Sequence, residues 1–265
     1  MKVAVAGLGL IGGSFLKAAA RAGYETVGLH HGDVDGLRDA DVVLVCLPPE
    51  AIVPWIRERA QLFKVGAAVV DIAGTKTAIV KEMQSVERRG WTFVGGHPMA
   101  GKEVSGFENS TADLFVDRSM VLTPERGEWS GANGDRAALE RFFLSLGFSR
   151  VTVTSPERHD EMIAFTSQLG HVIASAYVQD ELVPESVGFT AGSFANMSRI
   201  ATVDPDVWTS LYLADRPALL RVLDSFIARL GTFRKALADE DAPAMRAFIA
   251  AGAAAKRAEK ASQAM

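Results

Sequence analysis

Short apolar runs alternate with helical patterns through the first 154 residues, and this alternation constrains the fold more than any other feature of the chain. The strand-like runs are Val3–Ala6, Thr26–Leu29, Val42–Leu47, Ala67–Ile72, Thr92–Val94, Met120–Thr123 and Val151–Thr154. The helical patterns between them are Gly13–Arg21, Ile52–Phe63, Thr77–Arg89 and Asp135–Leu146. Continuous apolar runs are typical of parallel strands buried on both faces, with the helices as the cover. We therefore predict an α/β fold with a mostly parallel sheet.

The chain changes character near residue 155, where the strand-like runs stop. The segment Ser155–Glu157 combines an N-cap serine, a proline at the first helical position and an acid in the first turn, so it predicts a helix start. We expect that helix to end near Leu182, ahead of a proline. Further helices are expected from Asp204, over 217–237 and over 243–260.

Two domains follow from this change: a sheet domain of residues 1–154 and an all-α domain of residues 155–265. The later helices carry wide apolar faces. One such face consists of Leu219, Leu220, Leu223, Phe226, Ile227 and Leu230. A single helical layer leaves this apolar surface uncovered, so we expect the all-α domain to pair in a homodimer.

Charge and composition exclude several classes of protein. The chain has 28 Lys and Arg against 32 Asp and Glu, a formal net charge of −4, so no basic field is available for nucleic acid. Cys46 is the one cysteine, which excludes a disulfide framework. No uncharged apolar stretch reaches the roughly 18 residues of a membrane helix, and no secretory signal precedes the first strand. We expect a cytoplasmic protein without nucleic-acid, membrane or metal partners.

Gly7, Gly9 and Gly12 form a G-x-G-x-x-G pattern between the first strand and the first helix, with Leu10 and Ile11 inside it. Gly7 permits a tight turn, Gly9 lets the backbone approach a pyrophosphate, and Gly12 lets helix and strand pack closely. The helix start offers N–H groups and partial positive charge to the same pyrophosphate. The placement predicts a Rossmann-type dinucleotide-binding domain. The alternative is a glycine-rich turn without a ligand.

The end of the second strand bears on the choice of cofactor. NAD-binding domains of this type usually carry an acid there for the ribose 2′-hydroxyl. Here Leu29 is followed by His30 and His31, which could accommodate a 2′-phosphate. The sequence therefore favours NADP slightly over NAD, and the alternative is that both histidines are solvated loop residues. The short connection to Val42 also indicates an abridged adenosine side of the sheet.

His97 follows a strand and two glycines and precedes Pro98. Ligands of open α/β sheets bind beyond the carboxyl ends of the strands. A histidine in a turn at that edge is well placed to accept a proton. The alternative is a structural histidine of the turn.

Several segments together resemble the prephenate/arogenate dehydrogenase family of tyrosine biosynthesis. They are GLGLIGGS at Gly7–Ser14, DIAGTKT at Asp71–Thr77, GGHPMAGKEVSGFENSTADLF at Gly95–Phe115, VLTP at Val121–Pro124, ERHDEMIAFTSQLGHVIASA at Glu157–Ala176 and SRIATVDPDVW at Ser198–Trp208. The resemblance covers about residues 1–235, and GGHPMAG is its most specific part. It implies a nucleotide-binding domain followed by a helical domain that dimerises.

The resemblance also implies a reaction and roles for three residues. The reaction is oxidative decarboxylation of prephenate to 4-hydroxyphenylpyruvate, or of arogenate to tyrosine, with hydride transfer to the nicotinamide. His97 matches the family's catalytic histidine, and Arg199 matches its carboxylate-binding arginine. His171 matches a histidine implicated in substrate binding. For His159 and Asp160, at the start of the same helix, we expect capping and domain-junction roles rather than chemistry.

Two segments depart from the family pattern. Gly74 stands where a serine usually contacts the histidine and the substrate, and the adjacent Thr75 is a substitute whose side chain should point elsewhere. The segment from Ser167 to His171 has Gln168 in place of a histidine and Gly170 in place of a proline. These changes affect the expected rate and substrate preference but leave His97 and Arg199 in place.

Three other functions stay open at this point. A β-hydroxyacid dehydrogenase would share the two-part plan, but it would use a lysine on the long helix, and residues 155–182 contain none. A dehydrogenase of a related cyclohexadienyl acid would be separated only by assay. A non-catalytic dinucleotide sensor is the alternative from another class, and the departures at Gly74 and Gln168 favour it.

Overall fold

The computed structural model describes residues 1–30, 32–102, 104–125 and 134–263. The residues group into two compact units, Met1–Arg216 and Pro217–Met265. The domain boundary that the sequence predicts between residues 154 and 155 lies inside the first unit and stays a prediction.

A mostly parallel sheet forms the centre of the first unit. Within the described residues its strands are β1 (Lys2–Ala6), β2 (Glu25–Leu29), β3 (Val42–Val45), β4 (Ala68–Asp71), β5 (Thr92–Pro98), β6 (Ser119–Pro124) and β7 (Arg150–Val153). Their order across the sheet is β2-β1-β3-β4-β5-β6-β7. Only the β5–β6 pair is antiparallel among these neighbours. The carboxyl ends of β1 to β5 therefore meet at one edge of the sheet.

Helices cover both faces of this sheet. The first four are α1 (Leu10–Arg21), α2 (Pro49–Arg59), α3 (Thr77–Met83) and α4 (Arg136–Ser145). One apolar core joins α1 and α4 to the sheet through side chains such as Phe15 and Phe143. A second core joins α2 and α3 to the opposite face through Ile52, Ile56 and Met83. Burial on both faces explains why the strands are apolar throughout.

The chain after β7 is helical. The later helices are α5 (Pro156–Ile163), α6 (Leu169–Tyr177), α7 (Gly192–Ser198), α8 (Pro205–Ala214), α9 (Arg216–Ala238) and α10 (Ala242–Gln263). A π-helical turn, Ala164–Gln168, joins α5 to α6, and a 3-10 turn, Arg199–Ala201, follows α7. None of the described helices combines the length and the apolar character that crossing a membrane requires.

The observed elements confirm the predicted α/β class and refine its bounds. The helix predicted to reach Leu182 ends at Tyr177, and α3 ends at Met83 instead of Arg89. Just beyond α3, the Ser85 hydroxyl donates to the backbone carbonyl of Glu82, a local bond that competes with helix continuation.

The largest difference concerns β5, which runs through His97. The sequence analysis placed this histidine in a turn after the strand. Pairing of His97 with Val121 on the antiparallel strand β6 extends β5 by four residues beyond Val94. A ladder partner two dozen residues farther along the chain gives no signal in local sequence patterns.

Candidate active site

The glycine turn after β1 has the geometry of a dinucleotide cradle. Gly7 has a φ of +86°, and a Cβ there would lie 2.3 Å from the carbonyl oxygen of Cys46. A Cβ at Gly12 would lie 1.9 Å from the carbonyl oxygen of Gly7. A Cβ at Gly9, by contrast, would meet no atom within 4 Å. Two glycines are therefore required by close packing, and the third faces open space.

The start of α1 is open to an anion. Gly9 is its N-cap residue and provides no side-chain cap, so the first N–H groups of the helix lack that partner. Leu10 is buried and Ile11 is half-buried, so their side chains hold the turn while their backbone groups belong to the helix start. These residues fit the pyrophosphate of a dinucleotide.

A cavity of about 790 Å³ adjoins the glycine turn. Gly7, Leu8 and His30 line it from the segments just after β1 and β2, and Pro48, the N-cap residue of α2, lines it together with Trp55 of that helix. The backbone N–H of His30 donates to the carboxylate of Asp33 (2.9 Å), which fixes the loop after β2. The cavity therefore has the position expected for the adenosine half of the cofactor. His31, the other predicted cofactor residue, lies outside the described residues.

Charged groups of both signs also line this cavity. Glu50 and Glu58 contribute carboxylates, and Arg59 contributes a guanidinium. The Arg59 guanidinium lies over the Trp55 ring, 4.9 Å from its centroid, and bonds to Glu58 (2.6 Å).

His97 is half-buried at the carboxyl end of β5 and is hydrogen-bonded to a second histidine. Its Nδ1 lies 2.9 Å from Nε2 of His159. Nδ1 of His159 lies 2.8 Å from Oδ1 of Asp160. The side chains of His159 and Asp160 are almost fully buried, at 1% and 5% exposure. The three side chains therefore form a continuous hydrogen-bonded chain from a buried carboxylate to the sheet edge.

The carboxylate of Asp160 is fixed by the backbone at the start of α3. Oδ1 accepts from the N–H of Lys76 (2.8 Å), and Oδ2 accepts from the N–H of Thr77 (2.7 Å). Burial opposes ionisation of Asp160, but the hydrogen bonds from His159, Thr77 and Lys76 outweigh burial and lower its pKa. This carboxylate is therefore ionised at neutral pH.

The Lys76 side chain forms a buried ion pair beneath His97. Its Nζ contacts Oδ1 of Asp71 and donates to the carbonyl of Gly96 (2.8 Å), the residue before His97. Both charged side chains have 0% exposure. The lysine stem passes over Gly95, where a Cβ would lie 3.1 Å from Cδ of Lys76.

Burial lowers the pKa of His97 well below its usual value, and the charges of His159 and Lys76 lower it further. At neutral pH the imidazole is therefore uncharged and has a lone pair available for a proton.

Gly74 lies beside the His97 ring, near its Cε1–Nε2 edge. A Cβ at Gly74 would stand 3.8 Å from Cε1 and 3.9 Å from Nε2 of His97, and 3.5 Å from Cδ2 of Leu211. The neighbouring Thr75 is buried, and its hydroxyl has no hydrogen-bond partner in the described part of the chain. The structure thus brings Gly74 near the imidazole, while the Thr75 hydroxyl makes no hydrogen bond to His97 among the described residues.

His171 and Arg199 form a second group. Nδ1 of His171 bonds to the carbonyl of Ile200 (2.8 Å), within the turn that begins at the exposed Arg199. The His171 ring also lies against Trp208, with centroids 3.9 Å apart. Trp208 and Leu211 are on α8, so this helix contacts both the His171 group and the Gly74–His97 group.

The sequence analysis missed the contribution of four buried residues: Asp71, Lys76, His159 and Asp160. It assigned capping to Asp160, which does accept two N–H groups at a helix start, but the helix is α3 and not its own. The sequence did contain one signal for this contribution, the adjacent residues His159 and Asp160. No later histidine in the sequence has an acid beside it. The separation of 62 residues in the sequence gave no indication that His159 lies next to His97.

Comparisons with protein families match both parts of the chain. The model described as prephenate dehydrogenase, nucleotide-binding domain, matches residues 12–133. The model described as prephenate dehydrogenase, dimerization domain, matches residues 155–251.

Curated relatives and solved structures agree with these matches. Cyclohexadienyl dehydrogenase of Zymomonas mobilis is 33% identical, over 90% of this chain and 89% of that protein. Prephenate dehydrogenase of Bacillus subtilis is 28% identical, over 91% of this chain and 71% of that protein. The fold is similar to Synechocystis arogenate dehydrogenase (TM-score 0.82, 23% identity, 98% of this chain and 100% of that one). It is also similar to Aquifex aeolicus prephenate dehydrogenase in complex with hydroxyphenyl propionate and NAD+ (TM-score 0.80, 23% identity, 98% of each chain).

Proposed function

The chain belongs to the prephenate dehydrogenase family, and on that premise we propose that it oxidises and decarboxylates prephenate or arogenate with hydride transfer to NAD or NADP. The substrate is a cyclohexadienol with a ring hydroxyl and a ring carboxylate. Hydride leaves the carbon that bears the hydroxyl, and a base takes the hydroxyl proton. The ring carboxylate then leaves as CO2, its bonding pair makes the ring aromatic, and the oxygen recovers a proton as a phenol.

The observation that carries this proposal is the position of His97. It lies at the carboxyl end of β5, on the sheet edge that also carries the glycine turn after β1. In open α/β sheets this edge is where ligands bind. A bound nicotinamide supplies the hydride acceptor. His97 is the base in this scheme, because an uncharged imidazole accepts a proton from a hydroxyl.

We assign the substrate carboxylate to Arg199, because a guanidinium pairs with a carboxylate through two parallel hydrogen bonds. His171 supports this assignment through its bond to Ile200, the residue next to Arg199. Gly74 borders the substrate at the imidazole, and Thr75 stays a predicted contact.

For the cofactor, we propose binding of the pyrophosphate at Gly7–Gly12 and a slight preference for NADP. His30 lines the cavity at the end of β2, where a 2′-phosphate would lie. The structure gives no acid directly at the strand end, and Asp33 bonds back to the His30 N–H.

We further propose that the protein is a homodimer. The dimerization-domain match covers residues 155–251. Several large apolar residues of the second unit are more than half exposed in the single chain, among them Ile227, Leu230 and Ile249. A surface of this kind is typical of a subunit interface. A monomeric mass at micromolar concentration would contradict this assignment.

The experiment that tests the function is a matrix of initial rates with prephenate or arogenate and NAD or NADP, followed by absorbance of the reduced nicotinamide. Turnover of at least one combination is expected, together with stoichiometric release of CO2. Binding of a dinucleotide without turnover of either substrate would support the sensor alternative and contradict the proposal. The ratio of kcat/KM for NADP to that for NAD decides the cofactor preference.

A further inference from the structure

We infer that His97 and His159 act as one proton acceptor, in which His159 and Asp160 fix the tautomer of His97 and share the proton that it receives. His159 and Asp160 are positioning residues in this scheme, because each acts through His97. The inference rests on the proposed function, since it concerns the hydroxyl proton of that reaction. It assigns a task to two buried residues that the reaction scheme above leaves unused.

The tautomer follows from the order of donors and acceptors along the chain of side chains. Asp160 is ionised, so its oxygens only accept, and Nδ1 of His159 must donate to Oδ1. When both rings are uncharged, Nε2 of His159 then has a lone pair and accepts from Nδ1 of His97. The lone pair of His97 is therefore at Nε2, the nitrogen that lies beside Gly74. A base at this position needs that tautomer.

The same bonds allow the proton to be shared. A proton that binds to Nε2 of His97 forms one N–H bond there and makes the ring an imidazolium. The Nδ1 hydrogen then passes to Nε2 of His159 over 2.9 Å, so one N–H bond breaks as another forms. The positive charge now lies beside the Asp160 carboxylate. Reversal of both transfers returns the proton to the product oxygen.

The surrounding charges favour the location on His159. From the β4–α3 connection, the Lys76 ammonium faces the His97 region and disfavours a positive charge there, and Asp71 pairs with that ammonium. From α5, Asp160 bonds directly to His159. A proton shared across this hydrogen bond belongs to the pair and to neither ring alone. The acidic limb of the rate profile therefore reports the pair and not His97 alone.

Because residue 74 is a glycine, it contributes no side-chain hydrogen bond to His97. Within the described ranges, His159 gives the His97 ring its one recorded side-chain hydrogen bond. At the Cε1–Nε2 edge of the ring Gly74 provides no hydroxyl, and Leu211 provides a methyl group near the position of the missing side chain. The tautomer of His97 in this chain therefore depends on His159.

The test uses two substitutions of His159 in the full chain. His159→Gln keeps an acceptor near the position of Nε2, so it retains the tautomer of His97, but it cannot take up the proton. His159→Phe removes both properties. Arg158→Gln is the matched control, because it removes a charge from the exposed face of the same helix, where Arg158 pairs with Glu161. Thermal unfolding and dinucleotide affinity, measured on each variant, verify that each folds.

For His159→Gln we expect the acidic limb of the kcat/KM profile to move to lower pH by at least about 0.5 unit, because His97 alone binds the proton less well than the pair. We expect kcat of His159→Phe to fall by about 10²–10⁴-fold and below that of His159→Gln. Arg158→Gln should keep the wild-type limb. If the acidic limb of the kcat/KM profile of His159→Gln stays at the wild-type pH, the inference is overturned, whatever the kcat of this variant. A purely structural role would lower the rate without moving that limb.

A measurement independent of turnover separates this inference from the proposed function. The chain has five histidines, so ¹⁵N-histidine labelling gives resolvable ring signals, which His97→Asn and His159→Gln assign. We expect hydrogen on Nδ1 of His97 at neutral pH and a titration of His97 that moves to lower pH in His159→Gln. Hydrogen on Nε2 of His97, or an unchanged titration, would refute the pair. Absence of turnover in the wild type with this NMR signature intact would instead refute the proposed function.

Discussion

Replacement of Lys76 by Met tests how much the buried ion pair beneath His97 contributes to folding. The substitution keeps the apolar stem over Gly95 but leaves the Asp71 carboxylate and the Gly96 carbonyl without their ammonium partner. Asp71 then keeps the hydrogen bond from the N–H of Ala73 at 3.0 Å. Both charged side chains have no solvent exposure, so water cannot replace the lost contacts.

The expected loss is about 3–5 kcal/mol, the usual cost of removing one partner from a buried pair. For a chain of this size that corresponds to a fall in Tm of about 10 °C. Urea unfolding and calorimetry measure it. The double variant Asp71→Asn, Lys76→Met should be more stable than the single variant, because it also removes the unpaired charge.

Lys81→Met is the matched control, since Lys81 is an exposed lysine on α3, the helix that Lys76 precedes as N-cap residue. It should change the stability by less than about 0.5 kcal/mol. A loss below about 1 kcal/mol for Lys76→Met, or a double variant no more stable than the single one, would refute the reasoning.

Four further predictions concern the site. His97→Asn should lower kcat by about 10²–10⁴-fold with little change in dinucleotide affinity, measured by initial rates and by cofactor titration; an equal loss of cofactor binding would contradict its role as base. Arg199→Ala should raise the substrate KM more than it lowers kcat, as loss of a ground-state contact does, and an unchanged KM would exclude it as the carboxylate anchor. Gly74→Ser should lower kcat/KM about tenfold relative to Gly74→Ala, because the new hydroxyl competes with the substrate hydroxyl for Nε2 of His97. A higher kcat/KM for Gly74→Ser than for Gly74→Ala would instead show that the site lacks this hydroxyl. Asp160→Ala should lower the free energy of unfolding by about 2–3 kcal/mol at pH 7. Because the native pKa of Asp160 lies below 3.8, the stability difference between the wild type and the variant should disappear as the pH falls through this native pKa. A difference that persists in urea unfolding at low pH would contradict the assignment.

The sheet and its nucleotide turn were predictable because their signals are local. Apolar runs mark the strands, and Gly7, Gly9 and Gly12 occupy fixed positions relative to β1 and α1. The same is true of helix starts such as Pro156 and Pro205, where a capping side chain precedes a proline.

The supporting side chains of the site were not predictable, because they depend on contacts between distant parts of the chain. His97 and His159 are 62 residues apart, and Asp160 meets the Lys76 N–H across 84 residues. The π-helical turn that interrupts the long helix also has no signal in the residue pattern of Ala164–Gln168. The family resemblance predicted roles for His97 and Arg199 but gave no indication of this network.

Two of the hydrogen bonds that fix Asp160 come from main-chain amides, and this has a consequence for how the sequence can vary. Any residue other than proline at positions 76 and 77 presents the same two N–H groups to the carboxylate. The Thr77 side chain adds a further hydrogen bond to the same carboxylate, so we expect variation at position 77 to favour residues that keep a hydroxyl. Asp160 has no such freedom, since no other side chain of its length accepts both amides and a histidine while it carries a negative charge.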